Sequence, residues 1–340
     1  MIVEPSDRVN RLFEELQSLG FDRAYVRRMM PEWWEDVAAE SPGAVAELKV
    51  ALARQFHLDP KDLFAREPHA KFLRLDRVKF KRRIGQEVVR LTPAASIASA
   101  VAHIVAEGTI VPFQPLPQNP LLLRTQILAE NRRWVGLGEL MNAAWDHGIP
   151  VIHLVDLPGD LTRMDGVVVT TPSRPVVVLM KRSGIAAWLL FILAHELGHL
   201  ALGHLSVEDT MLVDDDSGEE TLVPTQLDED IEEVGANAYA FALLSGMPIR
   251  YLPHPDSTVN APALVQAAFN VGQETQVDPG HIILRYGYEN RAWATAIAAL
   301  RLIDDGRVAK RSFSESLRTR FDRNRVAPDA AAFLYKIVSA

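Results

Sequence analysis

Residues 184–203 read GIAAWLLFILAHELGHLALG, and this stretch decides how the rest of the chain is interpreted. It is apolar at nearly every position, which predicts a helix buried on all sides. The stretch contains the pattern HExxH, with His195, Glu196 and His199 at the fixed positions. Unpaired polar side chains inside such a helix would be destabilising, so these three residues are predicted to have a shared function.

The spacing of the two histidines predicts a metal site. Positions i and i+4 share one face of a helix, so His195 and His199 can bind a single ion side by side. Glu196 points to a neighbouring direction, where it can act as general base on the water that a catalytic Zn²⁺ activates. The alternative is a pair of core histidines beside an unrelated glutamate.

A third ligand is expected on a nearby helix, because catalytic zinc usually has three protein ligands. The best candidate lies in 228–244, DEDIEEVGANAYAFALL, where Glu233 begins the apolar face. Asn237, one turn later, is placed to support a ligand through a hydrogen bond. Glu232 is the rival, but it points about 100° away around the helix. Both acids can instead simply favour the positive end of the helix dipole.

Composition favours a cytoplasmic protein. The chain has 340 residues and no cysteine, which excludes disulfides and thiolate zinc sites and fits a reducing compartment. The first residues lack the pattern of a signal peptide. The apolar stretch 184–203 is about long enough to span a bilayer. Its ionisable residues would lie at the bilayer centre, which is costly, so we expect a buried helix and no membrane contact.

Charge is segmented along the chain. Twelve acidic residues and no Lys or Arg lie between Leu205 and Glu233, so the remainder carries a net positive charge although the whole chain is at −8. We interpret this acidic stretch as a solvated loop, with a lid or a weak cation site as alternatives. A basic run at 71–83 can contact a phosphate backbone or can be a solvated helix face. Its basic residues are Lys71, Arg74, Arg77, Lys79, Lys81, Arg82 and Arg83.

The remaining patterns predict an α+β fold in four segments. We expect a helix near 93–107, another over 125–147, a strand within 149–157 and two strands within 164–182. Four prolines in 111–120 indicate an extended linker. The segments are a helical unit at 1–66, a basic segment with a helix and linker at 67–120, the metal-binding core at 121–250, and a helical region at 251–340.

Several motifs in order resemble the ImmA/IrrE family of metallopeptidases. They are GIPVIHL, a strand pair ending PVVVLMKR, FILAHELGHLALGH and EEVGANAYAFALLSG, which together cover roughly 125–250. The resemblance implies a zincin-like core, a small sheet packed on the HExxH helix, with Glu233 as third ligand. It also implies that a helix-turn-helix repressor is the protein cut. The chain departs from the family pattern at Gly235, where an acidic residue is common, and in its acidic spacer.

The N-terminal unit resembles the last helices of an Xre-type domain, but not its DNA-reading part. Where a recognition helix would offer polar residues to base edges, residues 30–41 read MPEWWEDVAAES. Through residue 66 there are twelve acidic and nine basic residues. We therefore expect a degenerate domain that does not read DNA.

The reaction also needs a donor for the oxyanion, and three residues are candidates: Tyr239, His281 and Arg285. His204 falls on a different side of an extended helix from His195, which favours a helix-end histidine. The sequence thus predicts a zinc endopeptidase that makes site-specific cuts in a partner protein, in stress, prophage or toxin–antitoxin regulation. One alternative is a non-catalytic regulatory protein with a structural zinc site, and another is direct DNA binding through the N-terminal unit.

Overall fold

The computed structural model describes residues 5–65, 69–73, 78–80, 86–129, 131–158, 161, 164–205, 211–213, 231–246 and 259–338. Within these residues the chain is α+β, with helices surrounding one small sheet. The α-helices are α1 (Pro5–Ser18), α2 (Arg23–Met29), α3 (Pro42–Gln55), α4 (Pro60–Leu63), α5 (Gln86–Gly108), α6 (Pro120–Leu128), α7 (Leu137–Asp146), α8 (Ala186–Leu202), α9 (Ile231–Ser245), α10 (Ala261–Thr275), α11 (Pro279–Glu289), α12 (Trp293–Ile303), α13 (Arg307–Arg320) and α14 (Pro328–Ile337). The 3₁₀ helices are Asp36–Glu40 and Arg323–Arg325. The strands are β1 (Val78–Phe80), β2 (Val151–His153), β3 (Gly166–Thr170), β4 (Pro175–Leu179) and β5 (Met211–Val213).

The strands form one mixed sheet in the order β1-β5-β3-β4-β2. The antiparallel pair β3–β4 is the predicted strand pair, and β5 adds antiparallel to β3. At the two edges, β1 and β2 add parallel to their neighbours. Strands β1 and β5 were not predicted, because three residues give too little periodic pattern. The interpretation of 71–83 as a helix face is therefore wrong at 78–80, which form β1.

The sheet separates two hydrophobic cores. Successive valines of β3 alternate between them: Val167 and Val169 belong to the first core, and Val168 to the second. The first core includes α1, α2, α3, α5 and α14, and the second includes α7, α8, α9 and α11. Strands buried on both faces are expected where helices cover both sides of a sheet. The first core thus joins helices from the predicted segments 1–66 and 251–340, and the division into four segments stays a prediction.

Some predicted helices differ in their bounds. The helix expected at 93–107 begins at Gln86, so Pro93 lies inside α5. The helix expected over 125–147 is divided into α6 and α7, because the chain turns at Asn131, which has a φ of 63°. Residues 30–41, which stand where a recognition helix would lie, contain only the short 3₁₀ helix Asp36–Glu40. Within the described part of the chain, no helix is both long and apolar enough to cross a membrane.

Arg124 of α6 forms hydrogen bonds with the C-terminal ends of both α9 and α10. Its buried guanidinium donates hydrogen bonds to the carbonyl oxygens of Leu243 and Leu244, and to that of Gln276. Carbonyl groups at helix C-termini lack partners within the helix and carry partial negative charge, so they stabilise a buried cation. Gly246 makes room for it, because a Cβ there would lie 2.9 Å from the Arg124 Nε.

We expect Arg124→Met to lower the free energy of unfolding by about 3 kcal/mol, because it leaves several buried carbonyl groups without a donor. The measurement is urea denaturation of the metal-free protein. Arg133→Met is the matched control, since Arg133 is exposed between α6 and α7 and its loss should change stability by at most about 0.5 kcal/mol. Equal losses in the two variants would contradict this role for Arg124.

Candidate metal centre

Helix α8 places its two histidines against α9. The helix is buried along nearly its whole length, between the sheet and the helices of the second core. His195 and His199 are 2% and 0% exposed, and their Nε2 atoms lie 2.9 Å apart. The two imidazoles therefore share one face, as the spacing of the motif predicts.

Gly198 allows α9 to approach α8 closely. A Cβ at this position would lie 2.9 Å from the carbonyl oxygen of Ala236 and 3.2 Å from the Cβ of Tyr239. A side chain here would push the two helices apart, since non-bonded carbon and oxygen atoms do not pack below about 3.0 Å. The close approach brings the beginning of α9, and with it Glu233, to the histidines of α8.

Glu233 completes a buried group of three possible ligands. Its Oε2 lies 3.3 Å from the Nε2 of His195, and its Oε1 lies 3.4 Å from the Nε2 of His199. Two donors that bind one Zn²⁺ tetrahedrally at 2.0–2.1 Å are themselves about 3.3 Å apart, so the spacing suits a single ion. Among the described residues, this is the one such group of His, Cys, Asp and Glu. The three residues can thus bind a metal ion.

The carboxyl group of Glu233 remains ionised. Burial alone would raise its pKa, but the contacts with His195 and His199 outweigh burial and hold the pKa well below its usual range. A buried anion that faces two imidazole nitrogens is a donor set that a divalent cation stabilises. Glu232, the rival ligand, is half-buried and outside the group.

Each histidine also has a partner at its other ring nitrogen. The Nδ1 of His195 lies 3.0 Å from the Oδ1 of Asn237, which is therefore placed as the sequence predicts. The Nδ1 of His199 lies 2.8 Å from the Nδ1 of His204. His204 is a helix-end histidine, as the sequence predicts, since α8 ends at Leu202. It does not point away from the site, however, because Gly203, with a φ of 74°, turns the chain back toward His199. Metal-binding histidines commonly have such partners, which fix the ring orientation.

Glu196 follows His195 on α8, and its side chain lies against the sheet. Its side chain is 1% exposed, and it is not one of the three clustered residues. A Cβ at Gly166, the first residue of β3, would lie 2.6 Å from the Oε1 of Glu196 and equally close to Ile192. The missing side chain at Gly166 therefore makes the space that the carboxylate occupies.

The three candidates for an oxyanion donor make other contacts. The Tyr239 hydroxyl donates a hydrogen bond to the carbonyl oxygen of Pro117, and burial raises the pKa of this tyrosine. His281 is fully buried beside the hydroxyl of Ser245, and burial lowers its pKa to about 3, so the ring is neutral. Arg285 forms an ion pair with the glutamate one turn later. These contacts agree with a structural role for each residue, and a role as oxyanion donor stays a prediction.

Most of the charged segments lie outside the described residues. Of the basic run, Lys71 is exposed and Lys79 lies on β1. The basic residues outside the described part are Arg74, Arg77, Lys81, Arg82 and Arg83. The acidic stretch is outside it at 206–210 and 214–230, and residues 211–213 form β5. Contact with nucleic acid, and a lid or cation site in the acidic stretch, stay predictions.

The fold and the site define a class of protein: an α+β protein in which an HExxH helix and the next helix of the second core form a buried group that can bind a metal ion. No protein-family model, no curated protein and no solved structure matches the chain. Membership of the ImmA/IrrE family therefore stays a prediction from the motifs.

Proposed function

We propose that this chain is a zinc-dependent endopeptidase of the cytoplasm. The observation that carries the proposal is the buried group His195, His199 and Glu233, with Glu196 beside it on α8. Three protein ligands leave one of four tetrahedral positions open, which is the arrangement of catalytic zinc sites. The nitrogen and oxygen donors suit Zn²⁺, and the spacing of the three side chains fits one ion.

A bound zinc ion would acidify a water molecule and polarise the substrate carbonyl group. Glu196 then accepts the proton of the attacking water and passes it to the amide nitrogen as the peptide bond breaks. The position between α8 and Gly166 limits the conformations of this carboxylate. The amide of Asn237 lies at the other ring nitrogen of His195, and the Nε2 atoms of both histidines face Glu233, where the three side chains would hold the ion.

A zincin-like core is the fold we propose for this site. An HExxH helix that packs on a small mixed sheet, with the third ligand on another helix, agrees with the fold that the ImmA/IrrE resemblance implies. Together with the order of the motifs over 125–250, this arrangement supports the proposed class.

The substrate we propose is a folded partner protein, a helix-turn-helix repressor, in stress, prophage or toxin–antitoxin regulation. The family resemblance suggests this substrate. The chain also carries many helices that the metal site does not need, including α1, α2 and α3 in the first core. Their outer surfaces are available for selecting a partner or sensing a signal.

One observation favours the alternative of a non-catalytic regulatory protein with a structural metal. Glu196 and His199 are 1% and 0% exposed, so a peptide bond reaches them only if covering groups move. A closed site is typical of structural zinc. A structural site does not need a general base, however, and the presence of Glu196 one residue after His195 supports hydrolysis.

We expect the zinc-loaded protein to make one discrete cut in a helix-turn-helix repressor encoded by a neighbouring gene, and to leave casein largely intact. Mass spectrometry of both proteins after incubation identifies the cuts. Rapid digestion of casein at many sites would contradict the proposed selectivity. A protein that binds zinc tightly but cuts neither would support the structural alternative.

A further inference from the structure

His204 follows α8 and folds back onto the last turn of the helix. Its backbone N–H donates a hydrogen bond to the carbonyl oxygen of His199, with 3.0 Å between nitrogen and oxygen. Gly203 makes this turn possible, because its φ of 74° lies in the left-handed region that favours glycine. The imidazole of His204 is thereby held 5.0 Å from that of His199, measured between ring centroids.

If a metal ion is bound, the hydrogen bond between the two rings can have only one direction. The Nε2 of His199 faces Glu233 and His195, so its lone pair is the one available to the ion. The proton of a neutral His199 ring must then be on Nδ1. Since the two Nδ1 atoms are 2.8 Å apart, His199 donates this hydrogen bond and His204 accepts it.

The neighbouring ligand has the same arrangement with a different partner. The Oδ1 of Asn237 can only accept, so it selects the same tautomer in His195. Asn237 comes from α9 and His204 from the end of α8, so each ligand is fixed by a different part of the chain. Gly235 lies beside His204, because a Cβ there would be 3.4 Å from its ring, and a larger residue would crowd the acceptor.

We propose that His204 is a positioning residue, which fixes the tautomer and orientation of His199 for metal binding. The proposal rests on the metal site of the proposed function and not on hydrolysis. Loss of such a partner typically weakens metal affinity about 10- to 100-fold. The inference thus assigns a role to a histidine that the HExxH motif does not include.

A pair of variants tests the acceptor directly. In His204→Asn the Oδ1 takes the position of the histidine Nδ1 and can accept the same hydrogen bond, whereas His204→Leu places a methyl group there. We expect the Leu variant to bind Zn²⁺ about 10- to 100-fold more weakly in competition with a chelator, and the Asn variant to bind within about threefold of wild type. His103→Leu, at an exposed histidine of α5, is the control for general effects.

Nuclear magnetic resonance of the zinc-loaded wild type supplies a readout that does not depend on the variants. With ¹⁵N-labelled histidine, we expect a proton on the Nδ1 of His199 and nitrogen–nitrogen coupling across its hydrogen bond to His204. The proposal is overturned if this coupling is absent, if the Leu variant binds zinc as tightly as wild type, or if a folded Asn variant is as weak as Leu. Weak binding by Leu in a protein that cleaves no peptide would instead leave His204 assigned and contradict only the proposed hydrolysis.

Discussion

Glu196→Gln is expected to keep its zinc and its fold but to lose at least about a hundredfold in kcat, because it removes the general base without removing a ligand. Glutamine has nearly the same shape as glutamate, so it fits the space that Gly166 leaves beside β3. The ligands His195, His199 and Glu233 are unchanged, and the zinc content should therefore equal that of wild type. The effect should fall on turnover alone.

The measurement is the rate of cleavage of the repressor, together with zinc content by elemental analysis and thermal unfolding. Glu107→Gln is the matched control, because it makes the same chemical change at an exposed position of α5. This control should cleave as fast as wild type. Cleavage by Glu196→Gln at the wild-type rate would contradict the hydrolytic role of this residue.

The parts of the site that could be predicted from sequence are those set by helical spacing. His195 and His199 lie four residues apart, and Glu233 begins an apolar face whose members recur every three or four residues. Such patterns place side chains on one face with no knowledge of the fold. The contact between His204 and His199 was not predicted, because the helix was expected to extend as far as residue 204. Gly203 was the available signal, since a glycine after a long apolar helix commonly ends it in a left-handed turn.

Contacts between distant segments could not be predicted in the same way. The residue types of Tyr239 and His281 suit an oxyanion donor, but their role depends on Pro117 and Ser245, which are distant in sequence. The role of Gly198 likewise depends on the approach of α9. Single-sequence patterns contain no information about such pairs, and only the packed structure identifies them.

The same limit applies to the fold. The strands β3 and β4 were predicted because valine runs flank a turn with two prolines, a strong local signal. The helical residues 86–92 before Pro93 were not, because proline is favoured in the first turn of a helix and disfavoured in its interior. In α5 the neighbours Leu91 and Ala94 are fully buried in the first core, and this packing offsets the local cost of the proline.

Glu233→Ala is expected to weaken zinc binding by more than the 10- to 100-fold that is typical when only a supporting partner is lost. It removes one of three ligands and also the negative charge that faces His195 and His199. Wild type should gain about 2.7 kcal/mol of stability at a free zinc concentration of 100 Kd, and the variant should gain almost none at the same concentration. Competition with a chelator and thermal unfolding with and without zinc measure the two effects.

Glu232→Ala is the control that makes this test specific. Glu232 is the adjacent acid in the same first turn of α9, so its removal has nearly the same effect on the helix dipole. It lies outside the group of ligands, and its loss should change zinc affinity only a few-fold, as expected for a charge that does not touch the ion.

A fully loaded Glu233→Ala beside an empty Glu232→Ala would mean that α9 is rotated by one residue in solution and that Glu232 is the ligand. Full zinc loading of both variants would mean that neither carboxylate binds the ion. A loss confined to Glu233→Ala would identify Glu233 as the ligand, and the Glu196→Gln result can then be interpreted as loss of the general base.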